Sequence, residues 1–176
     1  VTFINDNNQY RHAPEFEIFF PQEITNWMLL RDYNGDGKKD IFTSDIFGIR
    51  VYTNTTLMIG QISFEHLRFF SGVAGSQKTQ HLLSAKADEI EGTIKTGVQL
   101  NSDDLPAISD ADGDGDLDLF VPYWPNGAYT VLHKNLSVER YGTLDSLDFE
   151  YTFTATGPEV WGGVRECDCG VFAFNG

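Results

Sequence analysis

Several things are scarce in this chain, and each scarcity excludes something. Only two of its 176 residues are cysteine, Cys167 and Cys169, too few and too terminal for a disulfide framework or a zinc site. A bridge between positions two apart would strain disulfide geometry, so partners outside this segment or free thiols are expected. No apolar run approaches the length of a membrane span, so no membrane insertion is expected. Basic residues number 12 against 26 acidic ones, a net charge of −14 that argues against nucleic acid or an anionic membrane as partner. There is no Gly-x-Ser-x-Gly, no His-Glu-x-x-His and no phosphate-cradling glycine loop. His12, His66, His81 and His133 share no motif spacing, and acidic pairs such as Asp88-Glu89 and Asp103-Asp104 read as solvated turns. No catalytic residue is assigned. The chain opens on neither an initiator Met nor a signal peptide, and so is expected to be a processed or excised piece of something longer.

What is plentiful is aspartate in a fixed pattern. Asp32, Asn34, Asp36 and Asp40 in Asp32-Tyr33-Asn34-Gly35-Asp36-Gly37-Lys38-Lys39-Asp40 recur as Asp110, Asp112, Asp114 and Asp118 in Asp110-Ala111-Asp112-Gly113-Asp114-Gly115-Asp116-Leu117-Asp118. Both fit D-x-[DN]-x-D-G-x-x-D. Oxygen side chains at positions 1, 3, 5 and 9, with glycine at 6 to permit the turn, are what a short loop must offer a hard cation. Position 7, Lys38 or Asp116, can add its backbone carbonyl. Two calcium ions are therefore expected.

The flanks decide which kind of loop this is. An EF-hand needs a bidentate Glu at position 12 and helices on both sides, but position 12 is Thr43 in one loop and Val121 in the other. Trp27-Met28-Leu29-Leu30 and Ile41-Phe42-Thr43 flank the first loop, and Leu105-Pro106-Ala107-Ile108 and Leu117-Asp118-Leu119-Phe120-Val121 the second. These short runs, rich in β-branched and aromatic residues, read as strands. A third strand follows in each copy, Gly48 to Asn54 and Ala128 to Asn135, then a fourth, Ile62-Ser63-Phe64-Glu65 and Leu147-Asp148-Phe149-Glu150. Pro14-Glu15-Phe16-Glu17 carries the same signature and is expected to be the last strand of a preceding unit, with another unit starting at Val160-Trp161-Gly162-Gly163. Phe16 to Phe64 is 48 residues, one four-stranded unit; Phe64 to Phe149 is 85, so residues 72–104 read as an insertion. Within it, residues 77–90 have a helical composition, and residues 93–100 could form a strand.

Over residues 14–71 and 105–150 this arrangement resembles the FG-GAP/VCBS repeat family, most closely at the second loop. The resemblance implies an all-β fold of four-stranded antiparallel β-propeller blades, with calcium loops between first and second strands, belonging to a larger propeller. The implied ligands are Asp32, Asn34, Asp36, the Lys38 carbonyl and Asp40, and Asp110, Asp112, Asp114, the Asp116 carbonyl and Asp118. It also implies a secreted or cell-surface protein that binds a protein or glycan, its ring completed by further blades or a partner chain. Two other classes are an accessory domain of an extracellular polysaccharide-acting enzyme and a dockerin-like module. Dockerin loops, however, are followed by helices and lie much closer together than 78 residues. Asn54-Thr55-Thr56 and Asn135-Leu136-Ser137 are formal glycosylation sequons, but at one repeat position, so the Asn reads as part of the turn.

Overall fold

The computed structural model describes residues 1–58, 61–70, 78–86, 95–101, 103–124 and 130–151, together with strand backbone at 153–154, 157–158, 164–166 and 172–174. Near the start, Asn7 and Asn8 take φ of 52° and 67°, the left-handed pair that a two-residue hairpin turn requires. They join β1 (Phe3–Asp6) to β2 (Gln9–His12) in antiparallel register. The expected strand at Pro14-Glu15-Phe16-Glu17 is instead a 3₁₀ helix, Pro14–Phe19. Pro14 has no N–H for a ladder, and its fixed φ suits a first helical turn. The Phe16 and Phe20 N–H groups accordingly close turns onto Ala13 O and Glu17 O.

The first repeat forms a four-stranded antiparallel sheet in chain order: β3 (Met28–Arg31), β4 (Asp40–Asp45), β5 (Gly48–Asn54) and β6 (Phe64–His66). Ile41, Phe42, Thr43 and Ser44 are all buried, as befits an interior strand covered on both faces. Thr43 escapes an unpaired hydroxyl by donating to Trp27 O at 2.6 Å.

The second repeat makes the same antiparallel run, but within a larger sheet. β9 (Ala107–Ser109), β10 (Asp118–Pro122), β11 (Thr130–Asn135) and β12 (Phe149–Tyr151) are extended by β7 (Leu83–Lys86) and β8 (Lys95–Gly97) into six strands, ordered β8-β7-β12-β11-β10-β9. The region expected to be an insertion therefore supplies two strands, and β7 pairs with β12 in parallel. Of the two readings open for this region, a helix within 77–90 or an excursion with a strand at 93–100, β8 falls within the second, and the described part of 77–90 carries β7; Leu83, Ser84 and Ala85 are buried there, and pairing on both sides outweighs local helix preference. Asp148 pins the addition: Lys95 on β8, and Arg140 and Tyr141 on the short helix α1 (Ser137–Tyr141), all engage its carboxylate. Burial pushes the Asp148 carboxyl upward, but these three donors outweigh it and hold the group below its ordinary value.

Two further antiparallel pairs follow, β13 (Phe153–Thr154) with β14 (Gly157–Pro158) and β15 (Val164–Glu166) with β16 (Phe172–Phe174). Residues 160–163, Cys167 and Cys169 lie outside the described residues. The fold is thus mostly β-sheet, in sheets of two, four and six strands.

One core serves both large sheets. Phe42, Ile49 and Val51 from the first meet Leu119, Val121 and Phe149 from the second, with Leu82, Val98 and Leu100 between them. Each such side chain contributes roughly 1.5–3 kcal/mol by leaving water. The Leu82 N–H donates to Ile49 O at 2.7 Å, and Arg31 Nε on β3 donates to Ile108 O on β9 at 3.0 Å. The corresponding edge strands of the two repeats are therefore neighbours.

Gly48 sits close against the backbone of Val98, just past β8. Its φ is +141°, and a Cβ there would lie 2.7 Å from Val98 O. Gly48→Ala should lower stability by about 2 kcal/mol, combining backbone strain with a backbone clash. The expected readout is a lower denaturant midpoint with an unchanged slope; an unchanged midpoint would count against this account.

Candidate metal centre

The two aspartate loops join β3 to β4 and β9 to β10, strand to strand as their flanks predicted. Their internal hydrogen bonds recur position by position. Gly35 and Gly37 N–H donate to Asp32 Oδ1 and Oδ2 at 2.8 and 2.9 Å; Gly113 and Gly115 donate to Asp110 Oδ1 and Oδ2 at 2.7 and 3.1 Å. The Asp36 N–H meets Asn34 Oδ1 at 3.1 Å, and the Asp114 N–H meets Asp112 Oδ1 at 3.3 Å. Position 7 donates to position 5 in both: Lys38 N–H to Asp36 Oδ1 at 2.9 Å and Asp116 N–H to Asp114 Oδ1 at 3.0 Å. Glycines at positions 4 and 6 all have positive φ, from 72° to 101°. The position-4 glycine is a second requirement that the motif leaves open.

The position-9 aspartates lock each loop to its sheet. Asp40 and Asp118, 0% and 1% exposed, each accept two backbone N–H groups. Tyr33 donates to Asp40 Oδ2 at 3.1 Å and Asn54 to Asp40 Oδ1 at 2.8 Å; Ala111 and Asn135 donate to the two Asp118 oxygens, both at 2.8 Å. A carboxylate has about four acceptor positions, so each oxygen retains one for a cation. Burial raises both carboxyls above their ordinary value, and the N–H donors only partly offset it. The sequon residues belong to this lock. Asn135 is fully buried, its Oδ1 accepting from Ser137 and Asp148 N–H and its amide reaching Ser146 O, which closes it to glycosylation.

The loops differ in electrostatics. In the first, Lys38 Nζ lies 3.1 Å from Asp36 Oδ2; with the Lys38 N–H bond acting first, Asp36 is held below its ordinary pKa. In the second, single oxygens of Asp110, Asp112 and Asp118 lie within 4.8 Å of one another. Calcium ligands at 2.3–2.6 Å from a shared ion are at most about 5 Å apart. Asp116 is 1% exposed; its Oδ2 accepts the Val138 N–H at 3.2 Å, whereas its Oδ1 is buried with no partner, as is Asp114 Oδ2. Burial, with Asp114, Asp118 and Glu139 nearby, raises Asp116 to about 6, and burial also raises Asp114. An all-oxygen donor set with orphaned buried carboxylate oxygens fits a hard divalent cation. Sequence reasoning gave Asp116 a carbonyl role and a nearby negative charge, and missed Glu139, which comes from α1 beyond the repeat pattern.

Both loops abut one side chain. A Cβ on Gly35 would lie 2.9 Å from Leu144 Cδ1, and one on Gly115 would lie 3.9 Å from Leu144 Cδ2. Loops 78 residues apart in the chain thus share a neighbour in space. Comparison with family models, characterised proteins and solved structures finds no match to this chain.

Two outcomes follow. In Asp118→Asn an amide replaces one oxygen that accepts an N–H, so stability should fall by about 1–3 kcal/mol even in chelator; a loss confined to calcium-containing buffer would contradict this. The second concerns His133, buried with Nδ1 2.9 Å from Ser84 Oγ; burial lowers its pKa to about 4. The unfolded chain, titrating near 6.5, takes up a proton that the folded chain refuses. Its contribution to stability is thus complete above about pH 6.5 and declines as pH falls toward 4. Imidazole NMR shifts of the folded protein should stay flat from pH 8 to 5; a midpoint near 6.5 would refute it.

Proposed function

We propose that this chain is a calcium-stabilised segment of a β-propeller of the FG-GAP/VCBS kind, borne by a secreted or cell-surface protein that binds a protein or glycan. The observation that carries the reading is the recurrence of the loop hydrogen bonds, from Asp32/Asp110 through Asp40/Asp118 to Asn54/Asn135. A cation-binding turn that serves only its local backbone has no reason to repeat with the same strands around it. The Arg31 to Ile108 contact adds support, because blades of a propeller bring corresponding strands together around one axis. On this reading the loops' ligands are Asp32, Asn34, Asp36, the Lys38 carbonyl and Asp40, and Asp110, Asp112, Asp114, the Asp116 carbonyl and Asp118. Two units do not make a ring, so further blades, in the same polypeptide or a partner chain, complete it.

The ion's role is structural. It neutralises carboxylates that otherwise repel one another and so favours the closed loops. Calcium that binds only the folded chain stabilises by mass action, about 2.7 kcal/mol when free ion exceeds the dissociation constant a hundredfold. The melting temperature should therefore fall in chelator and recover when calcium is restored in excess. Superimposable melting curves in the two conditions would reject the proposal.

A further inference from the structure

We propose that Glu139, on α1 and outside either loop, is an additional ligand of the cation in the second loop, and that the Lys134 ammonium is a built-in counter-ion which that cation displaces. The inference rests on the calcium reading of the loops. Single oxygens of Glu139, Asp112 and Asp114 lie within 4.8 Å of one another. That is the span of two ligands across one calcium ion, and Asp112 and Asp114 are positions 3 and 5 of the loop. The second sign is the buried oxygen without a partner: Asp116, 1% exposed, has an orphaned Oδ1, and the carboxylates acting on it are Asp114, Asp118 and Glu139. Asp114 Oδ2 is likewise buried and unpartnered. Negative charge is thus gathered beyond what the surrounding N–H donors satisfy.

A positive group already stands there. Lys134 Nζ lies 2.6 Å from Asp112 Oδ2 and 2.5 Å from Glu139 Oε1. A single charge on a flexible four-carbon stem can swing out to solvent, whereas a divalent ion attracts the same carboxylates about twice as strongly at equal distance. α1 is tied to the loop by the Val138 N–H on Asp116 Oδ2, which keeps Glu139 at the loop. The first repeat provides an internal contrast. Glu139 stands four residues after Asn135, and the residue four after Asn54 is Met58, which is 62% exposed and offers no carboxylate.

The test is calorimetric titration of the whole chain with calcium, the second-loop step being identified as the one lost in Asp110→Asn. Glu139→Gln should weaken that step about tenfold and leave the other unchanged, since ligand charge tunes affinity in such loops. Lys134→Met, which keeps every carboxylate, should tighten the same step severalfold. Unchanged second-loop affinity in both variants overturns the proposal, as does a Glu139→Gln effect spread equally over both steps. Absence of any calcium uptake by the unaltered chain would instead overturn the calcium reading itself, so the two failures are distinguishable.

Discussion

The structure turns on a buried carboxylate that receives two backbone N–H groups. Asp40 and Asp118 each end an aspartate loop, begin an interior strand, and accept both the N–H that opens the loop and the N–H of the asparagine that closes the third strand. One side chain thereby ties three segments of each repeat together. A charged acceptor makes these bonds stronger than neutral ones, and their burial raises the cost of losing either partner. The loop's remaining oxygens are consequently held on a fixed base, not on a free turn.

On that common base the two loops differ in the charges gathered around them. Around the first, Lys38 already neutralises part of the charge, with Asp36 Oδ2 3.1 Å from its ammonium. Around the second, Asp116 is drawn into the interior by α1, and Glu139 arrives on the same helix, so acidic groups outnumber the single ammonium of Lys134. Leu144, just past the left-handed Gly142 that ends α1, lies beside a glycine of each loop, Gly35 and Gly115.

The joining of the sheets follows different physics. Gly48 allows its backbone to approach Val98, and His81 and Arg50 gather on Asp45 at the hairpin beside it, with Arg50 Nη2 2.5 Å and His81 Nε2 3.0 Å from its oxygens. These contacts bind β4 and β5 to the segment leading into β7. The long excursion between the repeats is therefore part of the folded body, adding two strands to the second sheet and three residues, Leu82, Val98 and Leu100, to the core cluster.

By itself the sequence determined the strands that flank the loops, the loops, and their repetition, because alternation of side chains, glycine at strained φ and carboxylate spacing are local properties. β5 (Gly48–Asn54) matches its expected extent residue for residue, since its boundaries are a left-handed glycine and a turn-forming asparagine. Only tertiary structure decided that residues 84–86 pair in parallel with 149–151, that the Pro14 segment curls into a 3₁₀ helix beside the β1–β2 hairpin, and that Glu139 and Lys134 converge on the second loop. Parallel pairing and convergence of charges depend on which distant segments share a surface. No spacing within the chain encodes that, because the free energy comes from burial and partner geometry that exist only once the two sheets have met.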